Sequence, residues 1–128
     1  MDLVSWKQNY TTGNEDIDAQ HRYFANLINR INHELLKPSD VSYQTKLLQE
    51  LHSYSQFHFL SEENIMYKLG VSNLEEHKTM HILLSDTLND MISRIESKQI
   101  LPLQILQFLT NWFVSHTTEE DLKNFSVR

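Results

Sequence analysis

The chain has 128 residues, enough for one compact domain and too few for a second independent core. Hydrophobic residues make up 40% and charged residues 22%, which excludes a disordered chain, and a formal charge of −6 argues against nucleic acid or an anionic membrane surface as partner. There is no cysteine, so disulfides, zinc-thiolate sites, iron–sulfur clusters and thiol nucleophiles are excluded together, and any metal must be held by His and carboxylate.

The N-terminus shows no basic segment followed by an apolar run, and no stretch approaches the roughly 20 apolar residues of a membrane span, so a soluble, cytoplasmic protein is expected. The leading arm, residues 1–17, lacks helical periodicity, but Val4, Trp6, Tyr10 and Ile17 predict that it packs against the rest. Two Gly and two Pro in the whole chain are too few for a many-stranded sheet and favour long helices. A first helix over about 18–37 carries Phe24, Leu27, Ile28, Ile31 and Leu35 at the spacing of one helical face, and Pro38 closes it. A second, over about 42–69, opens after Ser39 or Ser42, carries Leu47, Leu48, Leu51, Tyr54, Phe57, Ile65, Met66 and Leu69, and stops at Gly70. Ser72 and Glu75 have capping-box spacing and open a third, over about 73–97, with Leu74, Leu84, Leu88, Met91, Ile92 and Ile95 on its buried stripe. Pro102 suits the first turn of a fourth, over about 102–125, with Leu103, Leu106, Phe108, Leu109, Trp112 and Phe113 inward. Four such helices with short connections predict an all-α, antiparallel up-down-up-down four-helix bundle with an N-terminal arm, a single domain over 1–128.

The seven histidines are the informative feature. His77 and His81 are four apart and share the face that continues into Leu84 and Leu88. His58 and Glu62 are also four apart, on the stripe of Leu51, Tyr54, Ile65 and Leu69, so a carboxylate lies at the depth of an imidazole. His21 precedes Phe24 and His116 follows Trp112 and Phe113 on the apolar faces of the first and fourth helices. His33 and His52 fall some 120° away from the inward histidine of their own helices and are expected on the surface. A lone inward histidine is more often a hydrogen-bonded core residue than a ligand. Five with a carboxylate would leave several polar groups unsatisfied at roughly 1 to 3 kcal/mol each, and bound metal relieves them all. Imidazole with carboxylate suits iron, manganese, zinc or copper. Five imidazoles are too many for one ion, and two ions need bridging anions. Glu62 is the first candidate, and the second comes from Glu119, Glu120 or Asp121, where spacing from His116 favours Glu120.

Trp6, Gly13, the run Ile17-Asp18-Ala19-Gln20-His21, His58-Phe59 with Glu62-Glu63 and Met66, His77 and His81, and Trp112-Phe113 with His116 and Asp121 together resemble the hemerythrins, in particular the bacterial hemerythrin-like domains, over the whole chain. The resemblance implies two iron ions, one on His77, His81 and His116 and the other on His21 and His58, bridged by Glu62, Asp121 and an oxo or hydroxo group. It replaces Glu120 by Asp121, which lies about 140° from His116 on an ideal helix and therefore needs a distorted last turn. The three-His iron is then coordinatively full, and the two-His iron keeps one position open for O2, with azide or nitric oxide as other small ligands. Phe24, Phe59, Trp112 and Phe113 are expected to keep the pocket dry. Thr117 stands where relatives usually carry Ile, and its hydroxyl predicts faster autoxidation. No Glu-x-x-His pair, His-Glu-x-x-His motif or Gly-rich phosphate loop occurs, so the expectation is an O2-binding protein and not an enzyme, with peroxidase or oxidase side activity as an alternative. Another alternative is an O2- or redox-sensing input domain of a larger signalling protein. The stop at Ser126-Val127-Arg128, soon after Asp121, suits a domain cut from such a chain.

Overall fold

The computed structural model describes residues 3–5, 7 and 10–117. Four helices, α1 (Glu15–Leu35), α2 (Val41–Leu69), α3 (Leu74–Ser93) and α4 (Pro102–Ser115), follow one another, with no strand among the described residues. The side chain of Asn14 accepts a hydrogen bond from the Ile17 N–H, and Glu15, Asp16 and Asp18 place negative charge at the positive end of the helix dipole, so α1 starts three residues earlier than expected. Asp40, not Ser39 or Ser42, caps α2, its Oδ1 lying 2.7 Å from the Tyr43 N–H. Gly70, with φ of 70°, ends that helix in the left-handed region, and the Val71 N–H reaches back to the Met66 carbonyl. That reversal corrects the Ser72–Glu75 capping box: Asn73 is the residue that directly precedes α3, and no side-chain cap bond forms there. α3 also ends sooner than expected, at Ser93, followed by turns through Lys98 at φ of 62°. Pro102 opens α4, and the Gln104 side chain accepts the Leu101 N–H at 2.8 Å. The backbone at His116–Thr117 turns from α to π pattern, and the expected continuation to 125 lies outside the described residues.

α2 packs against α1 and α3, and α4 against α1 and α3, the neighbour pattern of an antiparallel four-helix bundle. Phe24, Ile28, Ile31, Leu48, Leu51, Leu88, Ile105, Leu106 and Leu109 are fully buried between the helices. Phe57, Leu69 and Leu103, which the sequence pattern places on apolar faces, are exposed. Phe57 is one residue, about 100°, from inward His58, and the other two lie in a last and a first helical turn. Because the helices alternate in direction, the starts of α1 and α3 and the ends of α2 and α4 meet at one end of the bundle. His21, His58, Glu62, His77, His81 and His116 all sit there.

The arm packs as expected at Val4 and Tyr10, both buried, whereas Trp6 lies outside the described residues. Asn29 on α1 accepts the Leu3 and Val4 N–H groups at 2.9 Å each and donates to the Val4 carbonyl at 2.7 Å, pairing like a short strand. Nearer α1, the buried carboxylate of Asp18 takes three hydrogen bonds, from the Thr12 N–H and hydroxyl and the Gly13 N–H, at 2.8, 2.7 and 3.1 Å. Asp18→Ala orphans these donors and is expected to lower stability by about 1 to 3 kcal/mol, read from the urea midpoint.

Candidate metal centre

All four helices contribute to a single buried cluster in which no member is more than 5% exposed. The Glu62 carboxylate is its centre. Its Oε1 lies 2.7 Å from His77 Nε2 and 3.3 Å from both His81 Nε2 and His116 Nε2. Its Oε2 lies 3.0 Å from His58 Nε2 and 3.7 Å from His21 Nε2. One carboxylate oxygen thus faces three imidazoles and the other faces two. Within each set the potential ligand atoms lie within 4.8 Å of one another, a spacing that could hold a cation. Burial pushes the Glu62 carboxyl up, but the imidazoles of His116, His21, His58 and His77 outweigh it and hold the group well below the usual carboxylate range.

The far sides of two rings decide whether this donor set fits metal. The Nδ1 of His58 is 2.8 Å from Gln20 Oε1. The Gln20 amide is oriented by its own Nε2, which donates to Ser61 Oγ at 2.7 Å, so its oxygen accepts from His58. The Nδ1 of His81 is 2.8 Å from Glu63 Oε2, again an acceptor. With Nδ1 engaged by these acceptors, each ring turns Nε2 inward beside a Glu62 oxygen, where it can serve as a ligand to a cation. His81 Nε2 and Glu62 Oε2 make no hydrogen bond in this buried cluster. Gln20 and Glu63 are the functional residues that spacing alone did not assign. Each neighbours a candidate ligand in sequence, yet serves an imidazole on a different helix.

The profile of the hemerythrin HHE cation binding domain matches residues 12–127. The chain belongs to the hemerythrin family. Similar proteins include a bacteriohemerythrin from Clostridium acetobutylicum, 29% identical, with 93% of this chain and 96% of that protein covered. A bacteriohemerythrin from Pseudomonas aeruginosa is 24% identical, over 94% of this chain and 78% of that protein. A crystal structure of a hemerythrin point variant superposes with a TM-score of 0.87 at 24% identity, covering 98% of this chain and 96% of that one. Hemerythrins are non-haem di-iron proteins that bind O2 reversibly, and the His and Glu cluster of this chain fits such a centre.

The aromatic residues divide between the two halves of the hemerythrin cluster. Phe113 meets His21 edge-on at 5.8 Å, Phe24 meets His58 at 5.9 Å, and the two phenyl rings pack together at 4.8 Å. Phe59 stacks on His81 at 4.0 Å and Trp112 stacks on His116 at 4.4 Å, so these two cover mainly the three-His set, with Phe59 also 6.0 Å from His58. Thr117 is 1% exposed, and its hydroxyl has no hydrogen-bond partner among the described residues. His33 is exposed, in line with expectation. His52 is not a surface residue: it is half-buried in the seam between α2 and α3, its Nε2 3.0 Å from Ser85 Oγ. Glu119, Glu120 and Asp121 lie outside the described residues. No described helix is long and apolar enough to cross a membrane.

Proposed function

We propose that one iron is held by His77, His81 and His116 and the other by His21 and His58, with Glu62 and Asp121 joining them, and that O2 is taken up at the two-His iron for storage, delivery or sensing. The observation that carries this reading is the division of Glu62, with Oε1 turned to the three-His set and Oε2 to the two-His set. That is the posture of a bridging carboxylate. The π pattern at His116–Thr117 favours Asp121 as the second bridge, since a wider turn brings the fifth residue nearer to the side of His116 than a regular α-helix does.

When bound, the ferrous pair supplies the two electrons that O2 uptake requires. Everything else is the work of the polypeptide. Gln20 and Glu63 hold the His58 and His81 rings with Nε2 inward. Phe24 and Phe113 pack beside the two-His set and exclude water from the open position. The same reading takes the protein as a binding protein in a cytoplasmic setting, with azide and nitric oxide as competing small ligands.

Iron content and the ultraviolet-visible spectrum of the reduced protein, before and after admitting air, test the proposal. Two irons per chain and charge-transfer bands that appear in air and vanish when O2 is removed are expected. Fewer than two irons, or no spectral response to air, would overturn it. Irreversible conversion to the ferric form would replace the carrier by a redox sensor or an oxidase. Thr117 bears on that choice, because its buried hydroxyl has no hydrogen-bond partner among the described residues and so is available as a proton donor, and it directly follows His116. Thr117→Ile is therefore expected to lengthen the life of the oxygenated form about tenfold, as losing about 1.4 kcal/mol of assistance to autoxidation would. An unchanged lifetime, followed at the charge-transfer band, removes Thr117 from the mechanism.

A further inference from the structure

His58 and His81 occupy equivalent roles in the two sets, yet unlike groups stand behind them. Behind His58 is the neutral Gln20 amide, fixed at one end by Ser61 Oγ at 2.7 Å, while the Gln20 backbone carbonyl accepts the Tyr54 hydroxyl at 2.9 Å. Behind His81 is the Glu63 carboxylate, at the same 2.8 Å separation from Nδ1. Glu63 sits in a shallow groove between α2 and α3, formed also by Phe59, Leu60 and Ile82, and its side chain is 17% exposed. Its charge is therefore partly solvated and can be kept there without the full penalty of burial.

A carboxylate that accepts an Nδ1 proton pulls it outward and leaves more electron density on Nε2, whereas a neutral amide does so much less. A more basic ligand favours the more highly charged ion. On the di-iron reading above, which this inference deepens, the three-His iron is backed by an anion and the two-His iron by a dipole.

We infer that Glu63 is a positioning residue that makes the three-His iron the first of the two to give up its electron, while Gln20 keeps the two-His iron, the one with the open position, the harder to oxidise. Each iron loses one electron, passed to O2 in function and to a mediator in a titration. The arrangement protects the open iron in its ferrous state until a ligand reaches it.

The test is a spectroelectrochemical titration of the anaerobic, iron-loaded full chain, with iron counted beforehand by elemental analysis. Glu63→Gln keeps the side-chain length and the oxygen acceptor and removes only the charge. It is expected to weaken iron binding about 10- to 100-fold, and so is loaded with excess iron. Its lower midpoint potential should rise while the upper one stays in place, narrowing the gap. Gln20→Glu should narrow the same gap from the other side, by lowering the upper midpoint. A Glu63→Gln variant whose lower midpoint does not move, or whose two midpoints move together, overturns the inference. So does one that fails to take two irons in excess metal, since Glu63 would then be a structural support. Failure of the unsubstituted protein to take two irons would instead defeat the di-iron reading itself.

Discussion

Glu62→Ala is expected to reduce the iron content from two per chain to near zero, whereas removing a histidine from one set leaves the other set its ligands. Among the described residues Glu62 is the only side chain in both potential cation sets. Its replacement takes one oxygen from the ring of His77, His81 and His116 and the other from His21 and His58 in a single change. The effect reaches stability, because iron bound to the folded chain alone contributes about 2.7 kcal/mol when free metal stands at a hundredfold its dissociation constant. For a domain of this size that is on the order of 10 °C in Tm. Chelating the iron should therefore lower the melting temperature of the unsubstituted protein by about that amount. It should leave Glu62→Ala, already without metal, where it was. Glu62→Gln keeps the volume and drops the charge, and it should resemble Glu62→Ala in iron content while folding more stably. Two irons retained in either variant would remove Glu62 from the bridge.

The reason so much of this centre is legible in the sequence is that its candidate ligands are spaced along helices. His77 with His81 and His58 with Glu62 are each four residues apart, and the helical repeat alone puts each pair on one face. The apolar stripes beside them then turn that face inward. Contacts between helices leave no such mark. Gln20 is read as a neighbour of His21 on α1, but it orients His58 on α2; Glu63 is read as a neighbour of Glu62 but orients His81 on α3. The same limit applies to His52, whose angular offset from His58 is real but directs it into the α2–α3 seam instead of into solvent. It applies also to the aromatic residues, which share a reach of the inward histidines but divide between the two sets only once helix crossings are known. Local punctuation fails where two signals compete. Ser72 and Glu75 have the spacing of a capping box, yet the left-handed Gly70 and its return bond from Val71 to Met66 fix the direction of the chain first, leaving Asn73 beside the helix start.

Asp121→Ala is expected to abolish the assembled two-iron centre, leaving at most one iron per chain, while Glu120→Ala keeps both. The two positions separate a regular from an irregular helix end. On an ideal α-helix a residue four beyond His116 lies about 40° away around the axis and one five beyond lies about 140° away, so regular geometry selects Glu120. The backbone at His116–Thr117 does not stay regular. A π turn closes from i to i+5, with one more residue per loop than an α turn, so that pattern, carried on past Thr117, would bring the fifth residue nearer to the side of His116 than an α-helix does. Such turns are frequent at functional sites, where the inserted residue re-aims side chains without ending the helix. The consequence is a sharp contrast between adjacent carboxylates. Iron content and the charge-transfer spectrum of the two variants, measured side by side, read it directly. If Glu120→Ala lost the centre and Asp121→Ala kept it, the second bridge would follow α-helical spacing, and the π turn would serve some purpose other than presenting Asp121.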